Sequence, residues 1–173
     1  LASAKLKGIF GNGFDYEAVR SKRVELMDNY VEKNGIEVKS GAKELLSFLK
    51  ENGYKVALAT ATPPQRAERY LKAHDLYKYF DVTVSASMVS VGKPAPDIYL
   101  KAAEMLGLSP QNCVALEDSP NGIKSASSAG CVTVMVPDLD KPSNDIIPLL
   151  HGVADGLSDV KRILRELEDC NIQ

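Results

Sequence analysis

Apolar positions along the chain follow two alternating rhythms. Short unbroken runs at residues 55–62, 80–85, 113–116, 132–136 and 153–154 have the length of strands buried on both faces. Between them, apolar residues recur three and four apart at 15–34, 43–51, 65–74, 97–106, 120–129, 143–150 and 158–167, the spacing of amphipathic helices. Asn52-Gly53, Gly107 and Gly130 stand where three of these helices should stop, because glycine takes the left-handed conformation that ends a helix. Such alternation predicts an α/β fold: a Rossmann-like, doubly wound parallel sheet with right-handed crossovers.

Three strand ends and loops carry candidate chemistry. The run from Cys113 to Leu116 stops on Glu117 and Asp118 and then turns into a helix. Two adjacent carboxylates at the carboxyl end of a parallel strand repel each other unless a cation lies between them, and oxygen ligands suit a hard ion such as Mg²⁺. The alternative is that Asp118 or Ser119 caps the helix that begins at Pro120. The run ending in Thr60-Ala61-Thr62 puts hydroxyls and backbone N–H groups before a helix, a seat for phosphate, unless the two threonines only cap that helix. In Val91-Gly92-Lys93-Pro94-Ala95-Pro96-Asp97 the prolines stiffen the backbone around a single lysine and fix where its ammonium points.

These pieces, in this order, resemble the haloacid dehalogenase superfamily and within it the β-phosphoglucomutase-like branch. The resemblance rests on the strand ending in Thr60, on Gly92-Lys93-Pro94-Ala95-Pro96-Asp97, and on Leu116-Glu117-Asp118-Ser119 with Asn121-Gly122-Ile123. It implies a Mg²⁺-dependent phosphatase or phosphomutase acting on a small phosphorylated metabolite such as a sugar phosphate. Thr60 would bind a non-bridging oxygen of the transferring group, with backbone N–H groups of Ala61 and Thr62 beside it. Lys93 would neutralise charge on that group and on the nucleophile, and Asp118, helped by Glu117, would hold Mg²⁺. Thr60 and Lys93 are the implied catalytic residues. Residues 37–173 would form the haloacid dehalogenase-like core, and residues 1–36 a remnant of a helical cap.

One part of the resembled pattern is missing. The family's attacking aspartate lies in an Asp-x-Asp on the central strand, and no Asp-x-Asp precedes Thr60. Asp138-Leu139-Asp140 has the spacing but falls after the strand at 132–136 and near two prolines, where it reads as loop polarity. Leu6-Lys7-Gly8-Ile9-Phe10-Gly11-Asn12-Gly13 has the flavour of that strand, with glycines where both acids belong, and glycine can neither attack phosphorus nor move a proton. The chain therefore reads as a fragment beginning inside the cap, inactive by itself. The strand ending at Thr60 and the one ending at Leu116 should be left with unpaired inner edges, open to self-association, with residues 6–10 a candidate substitute. A catalytically inactive phosphate-binding module is the alternative. A response-regulator receiver ranks last, because receivers place their acids before the hydroxyl and the lysine.

Composition narrows the setting. The 173 residues are 45% hydrophobic, enough for a real core, and the net charge of −2 with dispersed basic residues suggests neither nucleic acid nor an anionic membrane as partner. No apolar run is long enough to cross a bilayer. Cys113, Cys131 and Cys170 lack metal-ligand spacing, and the first two read as lying inside apolar strands, which suggests reduced thiols and a cytoplasmic location.

Overall fold

The structure, a computed structural model, describes residues 2–170, which divide into two compact units with the boundary after Glu37. The first unit is helical. Helix α1 (Ala2–Phe10) is followed by a turn at Gly11, whose φ of 88° suits only glycine well, and the rings of Phe10 and Phe14 stack at 5.2 Å across that turn. Helix α2 (Tyr16–Asn34) starts where the Asp15 carboxylate accepts a hydrogen bond from the Ala18 N–H at 3.0 Å, and it ends at Gly35. The strand-like reading of residues 6–10 is thus corrected. Alanine, lysine and leucine between residues 2 and 7 favour a helix, and a run of five residues is too short for its apolar content to decide otherwise. The apolar stripe of α2 includes Val19, Leu26, Met27 and Tyr30, all exposed.

The second unit alternates helix and strand as its pattern predicts. Its elements are α3 (Ala42–Glu51), β1 (Ala57–Thr60), α4 (Pro64–Ala73), β2 (Val82–Ser85), α5 (Asp97–Leu106), β3 (Val114–Glu117), α6 (Pro120–Ser128), β4 (Val132–Met135), β5 (Gly152–Val153) and α7 (Val160–Cys170). All pairings are parallel. Among the described residues the strands form two sheets, β1–β2 and β3–β4–β5, so β1 and β3 each keep one edge with no strand beside it. Those are the two strands whose inner edges were expected to lack a partner.

Side chains bridge the divide. On one face Val84, Ile98, Tyr99, Ala102, Ala115, Ala126 and Cys131 form a single cluster with Ala57 and Ala59 against it, joining both sheets to α5 and α6. On the other face Leu45, Val134, Val136, Val160, Ile163 and Leu164 pack α3 and α7 over the larger sheet. Strand β4 sends Val134 into that second cluster and Met135 to the opposite side with Ile123 and Ile146, as alternation along a strand requires. Each fully buried aliphatic side chain of this kind contributes about 1.5–3 kcal/mol.

Two expectations need adjustment. Residues 143–150 do not form a helix beyond the single 3₁₀ turn Ile147–Leu149, because Pro148 has no N–H to extend one. Cys113 and Cys131 lie just before β3 and β4 rather than within them, and burial pushes the Cys131 thiol up to about 11.

Candidate active site

The carboxyl ends of β1 and β3 open onto one cavity of about 380 Å³. At the end of β1 the Thr60 hydroxyl oxygen accepts the Thr62 N–H at 3.0 Å, and Ser85 Oγ donates to the Thr62 carbonyl at 3.0 Å. Thr60 therefore braces its own turn, while Pro63 and Pro64 start α4. Thr60 and Ala61 line the cavity, whereas Thr62 is not part of its wall.

Lys93 enters from the loop before α5. That loop is held by the Val91 N–H on Asp97 Oδ1 at 3.2 Å and by Ser125 Oγ on the Ala95 carbonyl at 2.6 Å. Its ammonium donates to the Ala59 carbonyl of β1 at 3.3 Å, to the Tyr99 hydroxyl oxygen at 3.5 Å and to Glu117 Oε1 of β3. It also lies 5.1 Å from the centre of the Tyr99 ring, over its face. The lysine is thereby fixed across the gap that, among the described residues, no backbone hydrogen bond spans.

Glu117, the last residue of β3, is 8% exposed. Burial of such a carboxylate is tolerable only with partners. Lys93 and the Tyr99 hydroxyl both donate to Oε1, and Ser119 Oγ donates to Oε2 at 3.4 Å. Desolvation, with the Glu117 carboxylate next in weight, pushes the Tyr99 phenol far above its ordinary value, so it remains a donor. Gly122 makes room for this arrangement, since a Cβ there would run into the Glu117 carboxylate.

Asp118 lines the cavity, and the helix cap falls to Ser119, whose Oγ accepts the Gly122 N–H at 3.2 Å. Farther along the same wall the Lys39 ammonium donates to Asp138 Oδ1 at 2.9 Å and to the Pro137 carbonyl at 3.4 Å. Thr60, Ala61, Lys93, Glu117 and Asp118 thus meet in one place, as the sequence leads one to expect. Tyr99, Lys39 and Asp138 are additions. Tyr99 follows Lys93 by six residues and reads in sequence as one more apolar position of α5, so only its hydroxyl hinted at a polar task.

Among the described residues no group of three or more His, Cys, Asp or Glu side chains gathers around a point. Magnesium, however, is often held by one or two carboxylates together with water and substrate phosphate oxygens. Asp118 fits that role, and Glu117 contributes at most Oε2, since Oε1 is engaged by Lys93 and Tyr99.

A parallel α/β core with a hydroxyl, an ammonium and a pair of acids around one cavity at its strand ends defines a protein of the doubly wound class, with its candidate site where that class binds ligands. A family model described as haloacid dehalogenase-like hydrolase matches residues 9–130, and the chain belongs to that family. A phosphorylated carbohydrates phosphatase from Thermotoga maritima is 40% identical over 124 residues, 72% of this chain and 50% of that protein. Hexitol phosphatase B of Escherichia coli is 40% identical over 97 residues, 56% of this chain and 44% of that protein. The crystal structure of a β-phosphoglucomutase from Clostridium difficile has the same fold, with a TM-score of 0.75 at 24% identity, over 96% of this chain and 74% of that one. The two curated relatives are named as phosphatases, and the structure that shares the fold as a β-phosphoglucomutase. The chain spans about half the length of the curated relatives it matches.

Proposed function

We propose that the protein is a Mg²⁺-dependent phosphatase or phosphomutase acting on a small phosphorylated carbohydrate, and that these residues supply its phosphate-binding part without the attacking aspartate. The observation that carries this reading is the convergence of Thr60, Lys93 and Asp118 on one cavity. The names of the relatives, phosphatases of phosphorylated carbohydrates and of hexitols, support the substrate class.

Phosphoryl transfer needs positioning and charge neutralisation more than covalent assistance. A phosphate oxygen would take the place of one of the two long Lys93 contacts, to Ala59 or Tyr99, while the ion pair with Glu117 keeps the ammonium in place. The Thr60 hydroxyl, whose oxygen already accepts the Thr62 N–H, has its proton left to donate to a second oxygen. Asp118, with the remaining oxygen of Glu117, would hold Mg²⁺, which supplies further neutralisation of the phosphoryl charge. The unpaired edges of β1 and β3 leave a slot for one more strand, and an attacking aspartate at the end of such a strand would sit beside Lys93. In this reading residues 1–36 belong to the cap, in keeping with a unit boundary after Glu37, and the protein works in the cytoplasm.

The absence of an Asp-x-Asp before Thr60 favours a second reading, an inactive module that binds phosphate. Hydrolysis of p-nitrophenyl phosphate separates the two. The 173-residue chain is expected to be inactive, and a longer form carrying an Asp-x-Asp strand active. A longer form that binds phosphate without turnover would establish the binding module instead.

A further inference from the structure

We propose that Tyr99 is a positioning residue that sets where the Lys93 ammonium stands. Lysine is a flexible four-carbon stem bearing a point charge, so an ion pair alone leaves its head free to wander. Here the head is confined on three sides. Glu117 Oε1 takes one N–H, the Ala59 carbonyl another at 3.3 Å, and the Tyr99 oxygen the third at 3.5 Å. The Tyr99 ring lies on the same side as its hydroxyl, with its centre 5.1 Å from the ammonium. Tyr99 also donates its hydroxyl proton to the oxygen that Lys93 uses, so Lys93, Glu117 and Tyr99 form a closed cycle of hydrogen bonds.

Tyr99 is itself well placed to act as a fixed point. It is 9% exposed, belongs to the first turn of α5 and packs in the cluster that joins both sheets. Without its hydroxyl, Glu117 would lose a donor and lean more heavily on Lys93, and Lys93 would lose its third acceptor. The first change opposes release of the ammonium toward an incoming phosphate, and the second lets its head leave the position in which it would meet one. The consequence for ligand binding rests on the phosphate-site reading above, whereas the fixing of Lys93 does not.

The test uses Tyr99→Phe, which keeps the ring and deletes only the hydroxyl, read at a temperature where thermal melts show the variant folded, since the buried Glu117 carboxylate loses one donor. A confined ammonium exchanges its protons slowly, and the Lys93 NH₃⁺ group of the unmodified chain should give its own proton–nitrogen NMR signal without any ligand. That signal should broaden or vanish in Tyr99→Phe. Inorganic phosphate should bind Tyr99→Phe roughly fivefold more weakly, the scale of one hydrogen bond to a charged group after partial compensation. In a Lys93→Met background the Tyr99→Phe change should have no further effect on phosphate affinity, because the two act through one group. An unaltered Lys93 signal in Tyr99→Phe overturns the proposal, as does a loss of phosphate affinity that persists undiminished with Lys93→Met. If the unmodified chain binds no phosphate at all, the phosphate-site reading falls, and the Lys93 signal still decides the role of Tyr99.

Discussion

Glu117, at the tip of β3, and Lys93, in the loop before α5, form an ion pair whose side chains are only 7% and 21% exposed, and the same lysine reaches across to the Ala59 carbonyl of β1. Removing one partner strands the other in a poorly hydrated place. Lys93→Ala is expected to lower stability by about 3 kcal/mol, at the low end for a broken buried pair because Lys93 is partly exposed. Adding Glu117→Gln should recover part of that loss. Urea denaturation of the single and double variants measures both, and a double variant no more stable than Lys93→Ala alone would contradict the pairing.

Gly122 faces the Glu117 carboxylate so closely that no side chain fits. Gly122→Ala should displace Glu117 and with it Lys93, at a cost of about 1–3 kcal/mol from overpacking. Its affinity for inorganic phosphate should fall as well. Thermal melts and phosphate titration of that variant check the two effects separately.

Asp118 lines the cavity and leaves helix capping to Ser119. Asp118→Asn is therefore expected to abolish what Mg²⁺ binding the chain has while leaving stability within about 0.5 kcal/mol, as for a substitution outside core and caps. Calorimetry reads the first and urea denaturation the second. Tight Mg²⁺ binding that survives Asp118→Asn would remove this residue from the ligand set.

The Tyr54 hydroxyl donates to the Glu168 carboxylate, tying the segment after α3 to α7. Desolvation and that carboxylate push the phenol up to about 12 from 10.0. The folded state therefore favours the protonated phenol, and the stabilisation is complete below pH 10.0 and disappears as pH rises toward about 12. Tyr54→Phe should be less stable than the unmodified chain at neutral pH, and the difference should shrink across that window. Denaturation midpoints at several alkaline pH values, read beside phenolate absorbance, give the result.

Much of the second unit was legible in sequence because its signals agree with one another. Residues 113–116 are apolar on both faces, β3 lies beside β4, and the acids that follow stand at a strand tip. The stretch at 143–150 departs from its pattern because its apolar spacing is helical while Pro148 forbids the hydrogen bonds, and local chemistry overrides the period. Residues 6–10 were open to misreading because so short a run carries no period of its own. The role of Tyr99 is hidden in the sequence for a different reason. A buried tyrosine looks like any aromatic in a helix until its hydroxyl is seen on Glu117, and that contact joins residues 18 positions apart.

The split between β1–β2 and β3–β4–β5 bears on how the core opens. Among the described residues the gap is crossed by side chains, Lys93 among them, and by no backbone hydrogen bond, so the amides of each half are protected by that half's own ladder. Amide deuterium uptake should then resolve two cooperative blocks, β1–β2 exchanging by a smaller sub-global opening than β3–β4–β5, which has helices packed on both faces. Anything that bound along both inner edges would merge the two blocks into one.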